Sequence, residues 1–157
     1  MTGLTPGFSG VAEAPAYNPP PTMPDRYYQH TFPNGLTLLA EQMPGVQSAA
    51  MTFMLDAGAS TDPVDRGGSA TVLSDLVLRG AGERDNRTLT AYLDSLGLQR
   101  SSSVGIHHSR FGCAAVAENV LTALPTYADI VRRPHMPEDG FEAARELALQ
   151  SLAGIDD

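Results

Sequence analysis

The chain has 157 residues, 42% of them hydrophobic, with 10 basic against 18 acidic side chains and a net charge of −8, the size and balance expected of one globular domain with its own core. A pI near 4.8 and the scattering of the positive residues, all of them arginine, argue against nucleic acid, whose phosphates require a basic stripe. A single cysteine, Cys113, rules out an internal disulfide, no stretch approaches the roughly 18 apolar residues of a membrane span, and the first residues show neither an apolar signal core nor an Arg-rich presequence, so a cytoplasmic location is expected.

Residues 1–25 carry Pro6, Pro15, Pro19, Pro20, Pro21 and Pro24 among small and polar residues. Such a composition buries too little surface to offset its ordering entropy and predicts an arm, with the folded domain spanning 26–157. Tyr27 to Phe32 reads as a strand, Pro33-Asn34-Gly35 as a tight hairpin turn and Leu36 to Glu41 as the returning strand. Ala49 to Ala57, where Met51, Phe53 and Leu55 alternate with Thr52, Met54 and Asp56, supplies a third strand and completes a meander. Val72, Leu73, Leu76 and Val77 then fall at helical spacing, which predicts a helix over 66–79 stopped by Gly80 to Gly82. Asn86 is the expected N-cap of a shorter helix bearing Leu89, Leu93 and Leu96 and ending at Gly97.

Two further strands are expected at Leu98 to Val104 and His108 to Ala117, followed by a helix from Ala117 to Arg133 that Pro134 ends. Pro137 or Glu138 opens the last helix, with Phe141, Ala144, Ala148, Ser151, Leu152 and Ile155 as its buried stripe. The order β-β-β-α-α-β-β-α-α predicts an α+β fold, an antiparallel sheet with helices packed on one side, and not a doubly wound sheet.

The segment Ala57-Gly58-Ala59-Ser60 through Gly68-Ser69-Ala70-Thr71-Val72-Leu73-Ser74-Asp75-Leu76 resembles the signature of the insulinase/pitrilysin/mitochondrial processing peptidase family of zinc peptidases. There an A-G-S-like turn leads to a helix bearing G-x-x-H-[FY]-x-E-H-[ML], the inverted H-x-x-E-H zinc motif. Gly68, Ala70, Leu73 and Leu76 match its framework; Leu78-Arg79-Gly80-Ala81-Gly82 is similar to the family's L-F-K-G-T, and Leu89 to Gly97 to its next helix and S-L-G turn. The resemblance runs from about Tyr28 to the end of the chain and implies half of an insulinase/processing-peptidase-type lobe. A family lobe continues past the helix that carries Ser151, so the rest of the lobe is expected outside this sequence.

In that motif two histidines four apart on one helix face clamp zinc, and the glutamate beside them deprotonates the metal-bound water. By the resemblance, the first ligand position holds Thr71, the general-base position Ser74 and the second ligand position Asp75; Arg145 marks the later helix, whose ligand position holds Ser151. A hydroxyl is a poor zinc ligand near neutral pH and no general base, and Asp75 offers one donor at most. The resemblance therefore implies a chain that is not itself an enzyme and holds no cofactor. Its role would be that of a non-catalytic subunit of a processing-type peptidase, pairing with the remainder of its own lobe and with a zinc-bearing sister subunit. Gln99, Arg100, Ser101, Ser102 and Ser103 occupy the place where active relatives present an edge strand to extended peptide, a mode of strand addition; an ordinary edge strand fits the same residues. Two other functions remain open, a structural or interaction subunit that handles no peptide and an active peptidase with a rebuilt metal site.

Other metal-capable residues carry less. Asp75 with Glu142 or Glu146 would make an oxygen-ligand site, but those glutamates are out of the expected register. His107 and His108 are adjacent on a predicted strand and so point to opposite faces, while His30 and His135 stand alone. Cys113 lies in an apolar strand context, where a buried inert thiol is expected. Gly80-Ala81-Gly82 reads as a helix stop and not as a phosphate cradle.

Overall fold

The computed structural model describes residues 27–154; the Pro-rich arm and Ile155, Asp156 and Asp157 lie outside the described residues. Contacts divide the chain into two compact units, Met1–Pro44 and Gly45–Asp157.

In the first unit, β1 (Tyr27–Thr31) and β2 (Thr37–Glu41) form an antiparallel pair whose register runs from Tyr27 opposite Glu41 to Thr31 opposite Thr37. The reversal follows from Pro33-Asn34-Gly35. Gly35 adopts φ +86°, its N–H donates to the Phe32 carbonyl at 2.9 Å, and the Asn34 side chain accepts from Leu36 N–H at 3.2 Å, so the proline presets the turn and the glycine supplies the left-handed residue that closes it. Tyr28, His30, Leu38 and Ala40 share one face by this register, and every residue of both strands is exposed within the chain.

The second unit is built on a three-stranded antiparallel sheet ordered β3-β7-β6, with β3 at Ser48–Leu55, β6 at Gln99–Val104 and β7 at Ser109–Val116. The expected meander is thus limited to the first hairpin: β3 pairs along its whole length with β7, Ser48 opposite Val116 and Leu55 opposite Ser109. Met51, Phe53, Phe111 and Cys113 fall on one face. There they meet Val120, Ala123, Tyr127 and Ile130 of α3 (Ala117–Arg132) and Leu89 and Leu93 of α2 (Asn86–Ser95). Ala123, Ile130 and Leu89 are sealed from solvent, and this cluster is the core of the α+β layer. Tyr127 reaches through it to donate its hydroxyl to the Gly112 carbonyl at 2.9 Å, which satisfies the one polar atom the ring brings inside. Pro125 sits on the exposed side of α3, where the N–H it lacks and the backbone strain it adds disturb no core contact.

Several boundaries differ from the sequence expectation for local reasons. The helix expected over 66–79 is α1, Ser69–Leu76, because Gly68 at its start is left-handed with φ +91°. Asp62 caps it from a distance, accepting from the N–H groups of Gly68 and Ala70 at 2.8 Å each, so a carboxylate meets the positive end of the helix. The N-cap of α2 is Asp85 and not Asn86; its carboxylate accepts from Thr88 N–H at 2.8 Å and from the Thr88 hydroxyl at 2.6 Å. Gly80-Ala81 does more than stop a helix. It forms β4, pairs with β5 (Arg84–Asp85), and bridges Pro134; His135 N–H donates to the Gly80 carbonyl at 2.9 Å and its Nε2 lies 2.7 Å from the Gly82 carbonyl.

A 3-10 turn at Glu138–Gly140 opens α4 (Phe141–Ala153). Among the described residues of its expected buried stripe only Ala144 is fully covered; Ala148 is half-buried, and Phe141, Ser151 and Leu152 are exposed. The neighbours of α4 are α1 and its own leading turn, which cover one line of the helix and no more.

The segment after β3 is held by a backbone clasp. Ala59 N–H donates to the Gly105 carbonyl at 3.0 Å and Ser60 N–H to the Ile106 carbonyl at 2.8 Å, which ties the A-G-A-S turn to the turn between β6 and β7. Gly58 makes this approach possible, since a Cβ there would stand 2.5 Å from backbone atoms of Ile106, His107 and His108. Gly58→Ala is expected to cost about 2–3 kcal/mol as overpacking against rigid backbone, read from urea unfolding. Gly67→Ala, with nothing within 4 Å of its Cβ, is expected to leave the midpoint nearly unchanged. The Asp85 carboxyl is held below its ordinary value, first by the Thr88 hydroxyl and then by Thr88 N–H. The cap's contribution is therefore present above the usual Asp value of 3.8 and lost as pH falls below it. The melting-temperature difference between the natural protein and Asp85→Ala is expected to shrink on acidification.

Candidate functional site

An open groove of about 910 Å³ lies between α1 and α4. Thr71 on α1 and Ser151 on α4 both line it, among Val72, Leu73, Leu76, Phe141, Leu149 and Leu152, with Arg66 and Arg145 as its cationic members. Ser74 and Asp75 do not line it. The fold thus brings two of the four motif positions to one groove and turns the other two to local partners.

Those partners account for each polar group. The Ser74 hydroxyl donates to the Thr71 carbonyl at 2.8 Å, a bond one turn back along its own helix. Asp75 accepts from Arg79 Nε at 2.7 Å, an i,i+4 pair whose side chains are 37% and 21% exposed. On α4, Glu142 is engaged by Arg145 at 2.8 and 3.0 Å, so its carboxylate is spent on its own helix. Ser151 is exposed on the groove and is not the inward-facing member of a packed stripe, because nothing else of the described chain covers that part of α4. Among the described residues no three His, Cys, Asp or Glu side chains are grouped to hold a metal ion. The donor set does not fit zinc: the groove offers the neutral hydroxyls of Thr61, Ser69, Thr71 and Ser151 and the carboxylate of Asp62, both of whose oxygens are engaged by the N–H groups of Gly68 and Ala70, and the one carboxylate of the motif helix is paired with a guanidinium.

His107 and His108 are not on a strand. β7 begins at Ser109, and both imidazoles occupy the turn that precedes it. His107 Nδ1 lies 3.3 Å from the Ser60 hydroxyl and His108 Nε2 3.1 Å from Asp56, so each braces the clasp at a different point. His135 stacks over the glycine corner at Gly80 and Gly82, and His30 meets Phe32 edge-on at 4.6 Å. Cys113 is buried, and burial pushes its thiol up from its ordinary value. The neighbouring Tyr127 hydroxyl is pushed up as well, by burial first and by the thiol second. Gln99 to Ser103 lie exposed on β6, which among the described residues has β7 on one side and no strand on the other. Arg100 is anchored there by Asp94 at 2.9 Å.

Two residues central to this geometry escaped the sequence reading. Asp62 precedes α1 by several positions and reads as a loop residue, although its carboxylate fixes the helix start. Arg79 has the i+4 spacing of a partner for Asp75, although in the family pattern it belongs to the segment after the helix.

The fold of the chain is shared with part of a larger solved structure. The described inactive domain of a peptidase M16 from Pseudomonas fluorescens superposes with a TM-score of 0.70 at 17% identity, over 83% of this chain and 31% of that one. The family model for insulinase (peptidase family M16) matches residues 37–157, and the chain belongs to that family. The beta subunit of the mitochondrial-processing peptidase of Saccharomyces cerevisiae is 22% identical over 80% of this chain and 27% of its own length. An uncharacterized zinc protease of Rickettsia bellii is 25% identical over 86% of this chain and 33% of its own. The chain therefore spans about a quarter to a third of the length of these curated relatives.

The buried setting of Cys113 sets an expectation for chemistry at the only thiol. Alkylation in the folded protein is expected to be about a hundredfold slower than in urea, measured by mass spectrometry at pH 8. Labelling at the rate of a free thiol would show that the core around Tyr127 opens readily.

Proposed function

We propose that this chain is a non-catalytic member of the insulinase family, contributing a chamber wall and an edge strand that holds extended peptide for a zinc-bearing partner. The observation that carries the reading is the groove between α1 and α4, where Thr71 and Ser151 replace ligands and Asp75 is engaged by Arg79. Zinc hydrolysis needs a Lewis acid and a base in one place, and those positions supply neither.

Peptide holding rests on β6. Among the described residues no strand pairs with its outer backbone edge, its side chains are short and polar from Ser101 to Ser103, and the strand is long enough to pair with several residues of an extended partner. The exposed apolar line of α4, including Phe141 and Leu152, and the open groove beside it support a role within a larger lobe, because such a surface is normally covered. The remaining part of a family lobe is the proposed cover. These same surfaces also favour the reading of a purely structural subunit, which differs only in lacking affinity for peptide.

Two measurements test this. The protein purified without partners is expected to carry less than about 0.1 zinc per chain by elemental mass spectrometry; about one zinc per chain surviving dialysis would overturn the non-catalytic reading in favour of a rebuilt metal site. In fluorescence anisotropy, an extended peptide is expected to bind about tenfold more tightly than the same peptide N-methylated at alternate backbone amides. Equal affinity, or none for either peptide, would leave the structural-subunit function in its place.

A further inference from the structure

The loss of zinc ligands explains why the groove holds no metal site, but it does not explain what the surviving carboxylate does. Asp75 is the only side chain among the motif positions still able to bind a metal, and it does not line the groove that Thr71 and Ser151 share. Its carboxylate is directed instead to Arg79 at 2.7 Å.

Resting on the non-catalytic reading above, we infer that Arg79 is a latch that holds Asp75 out of the groove and makes the former ligand position part of the junction between α1 and α4. The local geometry favours this pair over its alternatives. Arg79 stands just beyond the last turn of α1, where its N–H bonds back to the Leu76 carbonyl at 3.1 Å. A cation there complements the negative end of the helix, and an acid four residues before a base is the favourable order on a helix. Asp85 and Asp139 line the same small cavity of about 300 Å³ as Arg79, yet the guanidinium bonds Asp75.

The stem of Arg79 does a second thing. A Cβ on Gly140 would lie 2.9 Å from Arg79 Cδ and 3.4 Å from Leu76 Cδ1, so the arginine stem and Leu76 together floor the turn that launches α4. A ligand-binding Asp75 would have to leave Arg79, and Arg79 would lose the partner that holds its stem beneath Gly140. Restoring the other motif residues therefore leaves the third ligand withheld. Arg79 is a positioning residue here, acting on the groove only through Asp75.

The test titrates zinc alone into two forms of the full chain. One carries Thr71→His, Ser74→Glu and Ser151→Glu with Asp75 retained; the other adds Arg79→Met. Releasing the latch is expected to tighten zinc binding at least about tenfold, the scale on which residues that orient a ligand act on affinity. Equal, measurable affinity in both forms would overturn the latch. Should neither bind, the decision passes to thermal melts of the natural sequence carrying Asp75→Asn, Arg79→Met or both. The double variant is expected to melt within about a degree of the less stable single one, as coupled residues do, and losses that simply add would overturn the proposal. Stoichiometric zinc on the unaltered protein would instead defeat the non-catalytic reading, so the two failures are told apart.

Discussion

The backbone of Ala57 to Ser60 lies against the turn between β6 and β7 with no room for a side chain at Gly58, and the placement of the groove follows from that contact. β3 ends at Leu55, and without a clasp the chain leaving it would be free to pivot. Two backbone hydrogen bonds and the flanking pairs of Ser60 with His107 and Asp56 with His108 fix its exit. Asp62, a few residues on, is thereby held where its carboxylate can cap α1. The helix that carries Thr71, Ser74 and Asp75 is thus aimed from the edge of the sheet, and β6 is tied to the same corner. The edge strand β6 and the motif helix are tied to one joint, although they come from distant stretches of chain.

The replacements at the motif positions are also coherent as packing. Thr71 and Ser151 are small and reach solvent, Ser74 bonds its own helix, and Asp75 has Arg79. Among the described residues no buried side-chain nitrogen or oxygen lacks a partner.

Much of this was legible in the residues because the strongest signals are local. The Pro33-Asn34-Gly35 reversal, the left-handed stop at Gly97 and the proline end of α3 each depend on a few adjacent side chains, and all three stand as expected. What escaped the sequence was decided across distance. Alternation in Met51 to Leu55 identifies a strand but not its neighbour, so β7 in place of β2 as its partner could not be read from it. The stripe on α4 has helical spacing whether or not another element covers it, and only the structure reports that Phe141 and Leu152 are open. Asn86 and Asp85 are both good caps, and the choice fell to the residue whose carboxylate reaches Thr88. At the candidate site the four motif positions follow from a resemblance in pattern and the i,i+4 spacing of Asp75 and Arg79 is visible in the sequence, whereas the absence of Ser74 and Asp75 from the groove lining depends on rotamers that no pattern specifies.

The order of strands in the sheet bears on how the protein reaches its shape. β6 and β7 are joined by a short turn and α3 follows β7 without a break, so the ribbon and the helix that covers it can assemble from neighbouring sequence. β3 has no such nearby partner: Ser48 must wait for Val116, and closing that long loop precedes any gain from pairing. On a ribosome, Met51 and Phe53 would emerge well ahead of β7 and stay unpaired until it arrives. The interval leaves apolar strand surface exposed while the rest of the sheet is synthesised, and the clasp at Gly58, which joins the exit of β3 to the turn before β7, requires both ends of that long loop to be in place.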